Sequence, residues 1–265
     1  MSTLALTPSR SLVSADPLKL GRRRGLVIVT GLLTVGAMAI TYGIIELLHV
    51  ASPAHHGPAG GIANLGHGAW IAGVLGAVAA AIVGSIAGTG DLEAGVYRDL
   101  VVTGRSRFAL YRSRLRGGLV FLLPFVAAGY VIAGLVSVVL AGSYPVPSVS
   151  LLITTGLWAL LQVAFYYVVA FGLACLVGSR SYTIGILLAF RLALTPILAS
   201  VSALGIVREV VPGVALQGLT PAALGNAAQQ GPTIPMSTGA TATVLIVWAL
   251  AAVVAGAWRD TRRDA

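Results

Sequence analysis

The sequence has little charge for its length. Asp, Glu, Lys and Arg together make up only 9% of its 265 residues, whereas hydrophobic residues make up 57%. A soluble domain usually has about a quarter charged residues. This shortage excludes an ordinary soluble domain and predicts an integral membrane protein.

Cysteine and enzyme motifs are also scarce. The one cysteine, Cys175, lies inside an apolar run, so neither a disulfide framework nor a thiolate metal cluster is predicted. The sequence has no G-x-x-x-x-G-K-[ST] phosphate loop, no His-Glu-x-x-His, and no paired carboxylates or activated nucleophile at membrane depth. We therefore expect no catalytic residues in this chain.

Neither a metal nor a nucleic acid is predicted as a ligand. Four histidines surround one predicted loop, but only Glu46 adds a further candidate ligand. We interpret these histidines as solvated side chains rather than a metal site. The net charge of +9 has no soluble basic module to carry it, which argues against nucleic acid. The four histidines are His49, His55, His56 and His67.

Six uncharged runs are long enough to cross a bilayer, whose core of about 30 Å requires roughly 20 apolar residues in a helix. The first run exceeds the roughly 7–15 apolar residues of a signal peptide, so we expect it to be retained. The sequence thus predicts an all-helical protein with six transmembrane helices. The runs are Gly25–Val50, Gly61–Gly88, Leu119–Leu140, Val149–Val177, Tyr182–Gly205 and Ala240–Trp258.

Basic residues lie almost entirely on one side of these runs. Of the 17 Lys and Arg residues, 15 lie in segments that six crossings place on the same side of the membrane. These segments are the one before run one, the ones between runs two and three and between runs four and five, and the one after run six. Only Arg191 and Arg208 lie elsewhere. Because cytoplasmic loops collect Lys and Arg, we expect both termini in the cytoplasm and the helices in the cell membrane of a bacterium.

The outer segment before run six is unusual. Prolines interrupt it too often for a crossing helix, and Thr220-Pro221 has the pattern of a helix start. We expect short re-entrant or interfacial helices there. The predicted divisions are a cytoplasmic segment 1–24, a transmembrane domain 25–258 with a cytoplasmic loop 89–118 and an outer segment 206–239, and a cytoplasmic tail 259–265.

The chain is rich in glycine, with 33 residues. Gly84 and Gly88 have the small-xxx-small spacing that lets two transmembrane helices approach closely. The sequence therefore predicts a helix contact on that face of the second run.

The cytoplasmic loop is the one long polar stretch in the interior of the chain. Leu92, Val96 and Leu100 recur every fourth residue, which predicts a short amphipathic helix from about residue 91. Gly104 ends that helix in this interpretation, and Ser106 caps the next one. Such a helix either docks a partner or lies on membrane lipid with its arginines on anionic headgroups.

The stretch Glu93-Ala-Gly-Val-Tyr-Arg-Asp-Leu-Val-Val-Thr-Gly-Arg-Ser-Arg107 resembles the signature of the permease subunits of type-2 ATP-binding-cassette (ABC) exporters. The family pattern is an acidic residue, Gly-Thr-x-Arg, a few apolar residues, and a small-residue turn before Ser-Arg. Val96 stands where Thr is usual, and Arg114 where Lys is common. The broken outer segment is similar to the family's re-entrant helices.

The resemblance implies a permease that exports a lipophilic or amphipathic cargo, such as a drug, an antibiotic or a lipid-like compound. The loop helix would be a coupling helix that docks on a separate ATPase subunit, which binds ATP and Mg. A second permease, identical or paralogous, would complete the translocation path. The implied coupling positions are Glu93, Gly95, Val96, Arg98, Leu100, Gly104 and Arg107.

Four polar side chains within the runs are candidates for the translocation path. Arg191 lies eleven residues after Arg180, about 16 Å along a helix, and an intramembrane charge is functional by default. Glu46 is a possible counter-ion, although its expected depth differs, so the sequence leaves open whether the two pair. Gln162 and Tyr166 are the other two candidates.

Two other kinds of protein fit the same composition. An ion-coupled secondary transporter would use intramembrane carboxylates, of which Glu46 is the only one inside a predicted run. A membrane anchor would bind a partner without moving cargo. The energy source separates these alternatives, because an ABC exporter depends on ATP and a secondary transporter depends on an ion gradient.

Overall fold

A computed structural model describes residues 16–96, 106–228 and 234–262. These residues form helices and connecting turns without a strand. Six of the helices are long and apolar enough to cross a membrane, which confirms the number and order predicted and indicates a membrane-embedded protein. They are α1 (Arg24–Ala51), α2 (Ile62–Glu93), α3 (Arg107–Val139), α4 (Val149–Val177), α5 (Arg180–Ser200) and α6 (Thr238–Arg262).

The helix bundle has two chemically different ends. The charged end holds residues 16–24, the end of α2, the start of α3, the α4–α5 turn and the end of α6, which contact one another through polar groups. The opposite end holds the α1–α2 and α3–α4 connections, where the Gly60 N–H donates to the Leu140 carbonyl at 2.8 Å. The fold thus brings the described chain ends to one face, whose cytoplasmic location is a sequence prediction.

Helix α2 lies at the centre of the bundle and packs closely on α4. The predicted small-residue face is confirmed, because a Cβ at Gly84 would lie 2.8 Å from the Ala170 Cβ, and one at Gly88 would lie 2.7 Å from the Ala174 Cβ. Helix α6 approaches α4 in the same way, with Gly256 against the Gly172 carbonyl. Small residues therefore set both spacings around α4, as membrane helix contacts commonly require.

The segment between α5 and α6 enters the bundle. It comprises a 3-10 helix (Ser202–Val210), a short buried helix (Pro212–Gly218) and a second 3-10 helix (Ala222–Ala228). The indole N–H of Trp158 donates to the Leu216 carbonyl at 2.9 Å, and that of Trp248 to the Val210 carbonyl at 2.9 Å. Each indole lies about 15 Å from the first residue of its helix, so the segment reaches well inside the bundle.

The structure corrects one predicted boundary. Run five was expected to continue to Gly205, but α5 ends at Ser200 because the following residues turn into a separate 3-10 helix. Within the stretch predicted as the cytoplasmic loop, 89–118, helix α2 continues to Glu93 and helix α3 begins at Arg107.

The capping prediction for α3 is confirmed: the Ser106 hydroxyl accepts a hydrogen bond from the Ala109 N–H at 3.2 Å. The predicted start of the amphipathic helix, from Asp91 to Glu93, belongs instead to the last turn of α2. Arg98, Leu100 and Gly104 lie outside the described residues.

Replacing Gly84 by leucine is expected to lower the free energy of unfolding by about 1–3 kcal/mol, because the added side chain has no room between α2 and α4. Thermal unfolding of the purified protein in detergent measures this effect. Gly185→Leu is the matched control, since a Cβ at Gly185 meets nothing within 4 Å. Equal stability of the two variants would contradict the packing assignment.

Candidate functional site

The charged end contains the three ion pairs found in the described part of the chain. Each pair joins elements that are distant in sequence. Asp91 of α2 pairs with Lys19, Glu93 of α2 pairs with Arg180 of α5, and Arg114 of α3 pairs with Asp260 of α6. Together they tie Lys19 and α5 to the end of α2, and α3 to α6, and we call this set the charged-end network.

Arg114 is the centre of this network. Its Nη2 donates to Asp260 Oδ2 at 2.6 Å, and its Nη1 donates to the Gly88 carbonyl of α2 at 3.2 Å. Its Nε donates to the Leu110 carbonyl of its own helix at 3.4 Å. One guanidinium therefore holds α2, α3 and α6 together.

The Arg114–Asp260 pair is buried, with 5% of the Arg114 side chain and none of Asp260 exposed. Desolvating two charges costs several kcal/mol per ion, which their attraction offsets only when further hydrogen bonds satisfy the remaining groups. The Leu110 and Gly88 carbonyls supply such bonds to Arg114. Removal of one partner alone would leave a buried charge without its counter-ion.

Sequence reasoning missed this pair. Asp260 fell in the predicted cytoplasmic tail beside Arg259 and Arg262, where an acidic residue attracts no attention. Helix α6 continues to Arg262, so Asp260 lies within its last turns. The partners are 146 positions apart, and no local pattern joins them. A single acid in an otherwise basic helix end was the one available signal.

Gly95 ends α2. Its backbone is left-handed, with φ of +70°, a conformation that glycine adopts at little cost. The Gly95 N–H donates to the Leu92 carbonyl at 3.0 Å, and the Val96 N–H donates to the Asp91 carbonyl at 3.2 Å. This bond pattern is a Schellman cap. The conformation therefore gives the glycine of the family-like motif a definite structural role.

Glu93 faces the neighbouring helices. One carboxylate oxygen pairs with Arg180 at the start of α5, and the other lies 2.9 Å from the Thr89 hydroxyl. More than a third of each ionic side chain is exposed, so the pair contributes about 0–1 kcal/mol to stability. Its main effect is to fix the orientation of Glu93 beside the polar stretch.

The segment before α1 belongs to the network, a contact that the prediction of a cytoplasmic segment 1–24 did not include. Residues 16–21 are helical, Leu20 is buried, and Lys19 pairs with Asp91. Asp16 lies beside this pair around a cavity of about 20 Å³. Burial raises the pKa of the Asp16 carboxyl above its ordinary value.

Arg107, a predicted coupling residue, lies at the first turn of α3. Its Nη1 donates to the Thr261 carbonyl at the end of α6 at 3.1 Å. Val96 is 39% exposed at the start of the polar stretch. Of the seven predicted coupling positions, the structure therefore places Glu93, Gly95, Val96 and Arg107 at the charged end.

The four candidate path residues do not form one cluster. Glu46 accepts a hydrogen bond from the Ala59 N–H at 3.3 Å near the opposite end. Arg191 lies over the Tyr166 ring, with its guanidinium carbon 5.5 Å from the ring centre. Glu46 and Arg191 therefore do not pair, in agreement with their different expected depths. Gln162 is buried on α4, against α2.

The histidines near the opposite end bond locally. His49 Nδ1 lies 2.6 Å from the His56 carbonyl, and His55 Nδ1 lies 3.1 Å from the Ser52 hydroxyl. Among the residues with described coordinates, no group of three or more His, Cys, Asp and Glu side chains has the geometry of a metal site. These contacts are those of a loop that satisfies its own polar groups.

Comparison with known proteins gives no match to this chain, either among protein-family models or among curated proteins.

Arg114→Met is expected to lower the free energy of unfolding by about 3–5 kcal/mol, because it leaves the buried Asp260 carboxylate without its ionic partner. The double variant Arg114→Met/Asp260→Asn should recover much of that loss, since both charges are then removed. Thermal unfolding in detergent compares the variants. Arg180→Gln, which breaks the exposed pair, serves as the control and should change stability by at most about 1 kcal/mol.

If the single and double variants unfold at the same temperature, the buried pair does not have the energetic role assigned to it.

Proposed function

We propose that this protein is the permease subunit of an ATP-driven ABC exporter. The supporting observation is the position of the family-like motif: its described residues lie where the charged-end network joins five parts of the chain, namely the segment before α1 and helices α2, α3, α5 and α6. The six-helix topology and the buried segment before α6 are compatible with this function. ATP hydrolysis is assigned to a separate subunit, because the chain has no phosphate loop.

The charged-end network suggests how movement would pass from an ATPase to the helices. A partner that binds the polar stretch after α2 would push on Glu93 and Gly95. Glu93 is tied to α5 through Arg180, and Asp91 to the N-terminal helix through Lys19. Arg114 connects the same helix end to α3 and α6. Displacement of the stretch would therefore move several helices together.

This arrangement also assigns separate roles to the motif residues. Gly95 ends α2, so that the chain after it leaves the helix axis. Glu93 and Arg107 brace the two helix ends against α5 and α6. Val96 presents an apolar side chain to a partner. Arg98 would then provide a charge for the docking surface, and Gly104 the bend in the polar stretch.

The proposed exporter consists of two permeases and two ATPase subunits in the cell membrane. The ATPase subunits bind ATP and Mg. The second permease is either an identical chain or a paralogue, and the two permeases enclose the path. A lipophilic or amphipathic cargo suits the apolar and small side chains of the bundle.

Co-purification tests the proposed partner. The tagged chain, extracted from its native membrane in mild detergent, should elute with a stoichiometric ATPase subunit and hydrolyse ATP. Glu93→Ala combined with Arg98→Ala should abolish both, because it removes charges at and beside the docking surface. Mass spectrometry of the eluate and a phosphate-release assay give the two measurements.

The control variant is Glu209→Ala combined with Arg208→Ala, which removes the same two charge types from the segment between α5 and α6 and should retain the ATPase. A chain that elutes alone in every case would contradict the proposal. Export that stops when the proton gradient is dissipated, while ATP remains, would favour the secondary transporter.

A further inference from the structure

An apolar groove runs along one side of the bundle between α4, α5 and α6. It has a volume of about 370 Å³, within the range of about 300–1,000 Å³ typical of small-molecule sites. Its walls include Phe165, Leu173, Ile186, Trp248 and Ala251. Pro212 of the short buried helix also lines it. The groove is therefore bounded by three long helices and by the segment that enters the bundle.

Arg191 lies beside this groove. Its guanidinium is over the ring of Tyr166, which is itself a groove residue. The Nε of Arg191 is buried and has no hydrogen-bond partner. No carboxylate in the described part of the chain forms an ion pair with it. The groove thus has a cation at its edge whose donors are not used by the fold.

The surroundings of Arg191 are costly for a charge. It lies about 16 Å along α5 from the charged end, in a stretch of π-helix, Ala189–Leu194. Such stretches occur frequently at functional sites. A charged side chain at this depth normally faces a partner or a cavity. The cation–π contact with Tyr166 offsets part of this cost but leaves the N–H donors available.

We infer that the groove binds an amphipathic anion, with its apolar body along the walls and its anionic group on Arg191. The guanidinium presents a planar fork of N–H donors that matches carboxylate, phosphate and sulfate groups. The apolar walls alone do not select a ligand, because lipid tails are as apolar as the groove. Selectivity therefore depends on Arg191.

As a site for cargo, the groove rests on the proposed export function. Binding of an anion in the groove does not depend on that function. A direct binding measurement without ATP or an ATPase therefore distinguishes failure of the binding site from failure of the export proposal. A second copy of the chain could instead cover the groove, and the same measurement detects that outcome.

Trp248 lines the groove and reports on its occupant. We suggest titrating the purified protein in detergent with 9,10-dibromostearyl sulfate, a permanently ionised amphiphile whose bromines quench nearby indoles. The expected result is a saturable component of quenching that is missing in Trp248→Phe. Unbrominated stearyl sulfate should displace the probe, whereas stearyl alcohol, which has the same apolar body, should not.

Two variants separate the ionic from the apolar contribution. Arg191→Gln should weaken binding of the sulfate by about tenfold or more, because a charge-assisted hydrogen bond is lost, and Arg191→Lys should restore part of it. Ala251→Phe, which fills the groove, should weaken binding while Arg191 remains. Arg208→Gln is the matched control and should leave binding unchanged, since this arginine already donates to the Gly205 and Ala199 carbonyls.

Phosphatidylglycerol as a second competitor identifies the source of the anion. Displacement by this lipid assigns the groove to a membrane lipid, and displacement by stearyl sulfate alone assigns it to a single-chain anion. The inference is overturned if stearyl alcohol competes as well as the sulfate, or if Arg191→Gln binds like the wild type. It is also overturned if Trp248 of a dimeric protein is inaccessible to the probe.

Discussion

The buried ion pair between Arg114 and Asp260 is the interaction on which the charged end depends. It joins α3 to α6, and the same guanidinium bonds to the Gly88 carbonyl of α2. Because a buried charge is costly without its counter-ion, these three helix ends are held in one arrangement. The ion pairs of Asp91 and Glu93 then extend that arrangement to residue 19 and to α5.

The two ends of the bundle therefore differ in how they are held together. Specific ionic contacts fix the charged end. Farther from it, apolar packing, glycine contacts and the indole bonds of Trp158 and Trp248 position the helices. Under the proposed function, the charged end receives movement from an ATPase, and the groove beside Arg191 lies about halfway along α5. A shift of the helices at the charged end would thus change the shape of the groove.

The sequence predicted the features that depend on local pattern. Six helices follow from the length and spacing of uncharged runs, a close helix contact on α2 from the spacing of Gly84 and Gly88, and the start of α3 from Ser106. The Arg114–Asp260 pair and the docking of Lys19 on Asp91 required the tertiary fold, because their partners are distant in sequence. The different depths of Glu46 and Arg191 in the sequence left open whether the two pair, and the structure shows that they do not.

The roles of the coupling positions depend on a partner, and for that reason neither the sequence nor the fold of one chain contains them. The central claim is that the polar stretch after α2 binds an ATPase subunit. Site-specific cross-linking in the native membrane tests it most directly, from Val96→Cys in a background where the single native cysteine is replaced by Cys175→Ser. The account predicts an adduct with a subunit that carries a phosphate loop, and no such adduct from Val146→Cys at the opposite end. A cross-link from position 96 to lipid alone, or equal adducts from both positions, would contradict it.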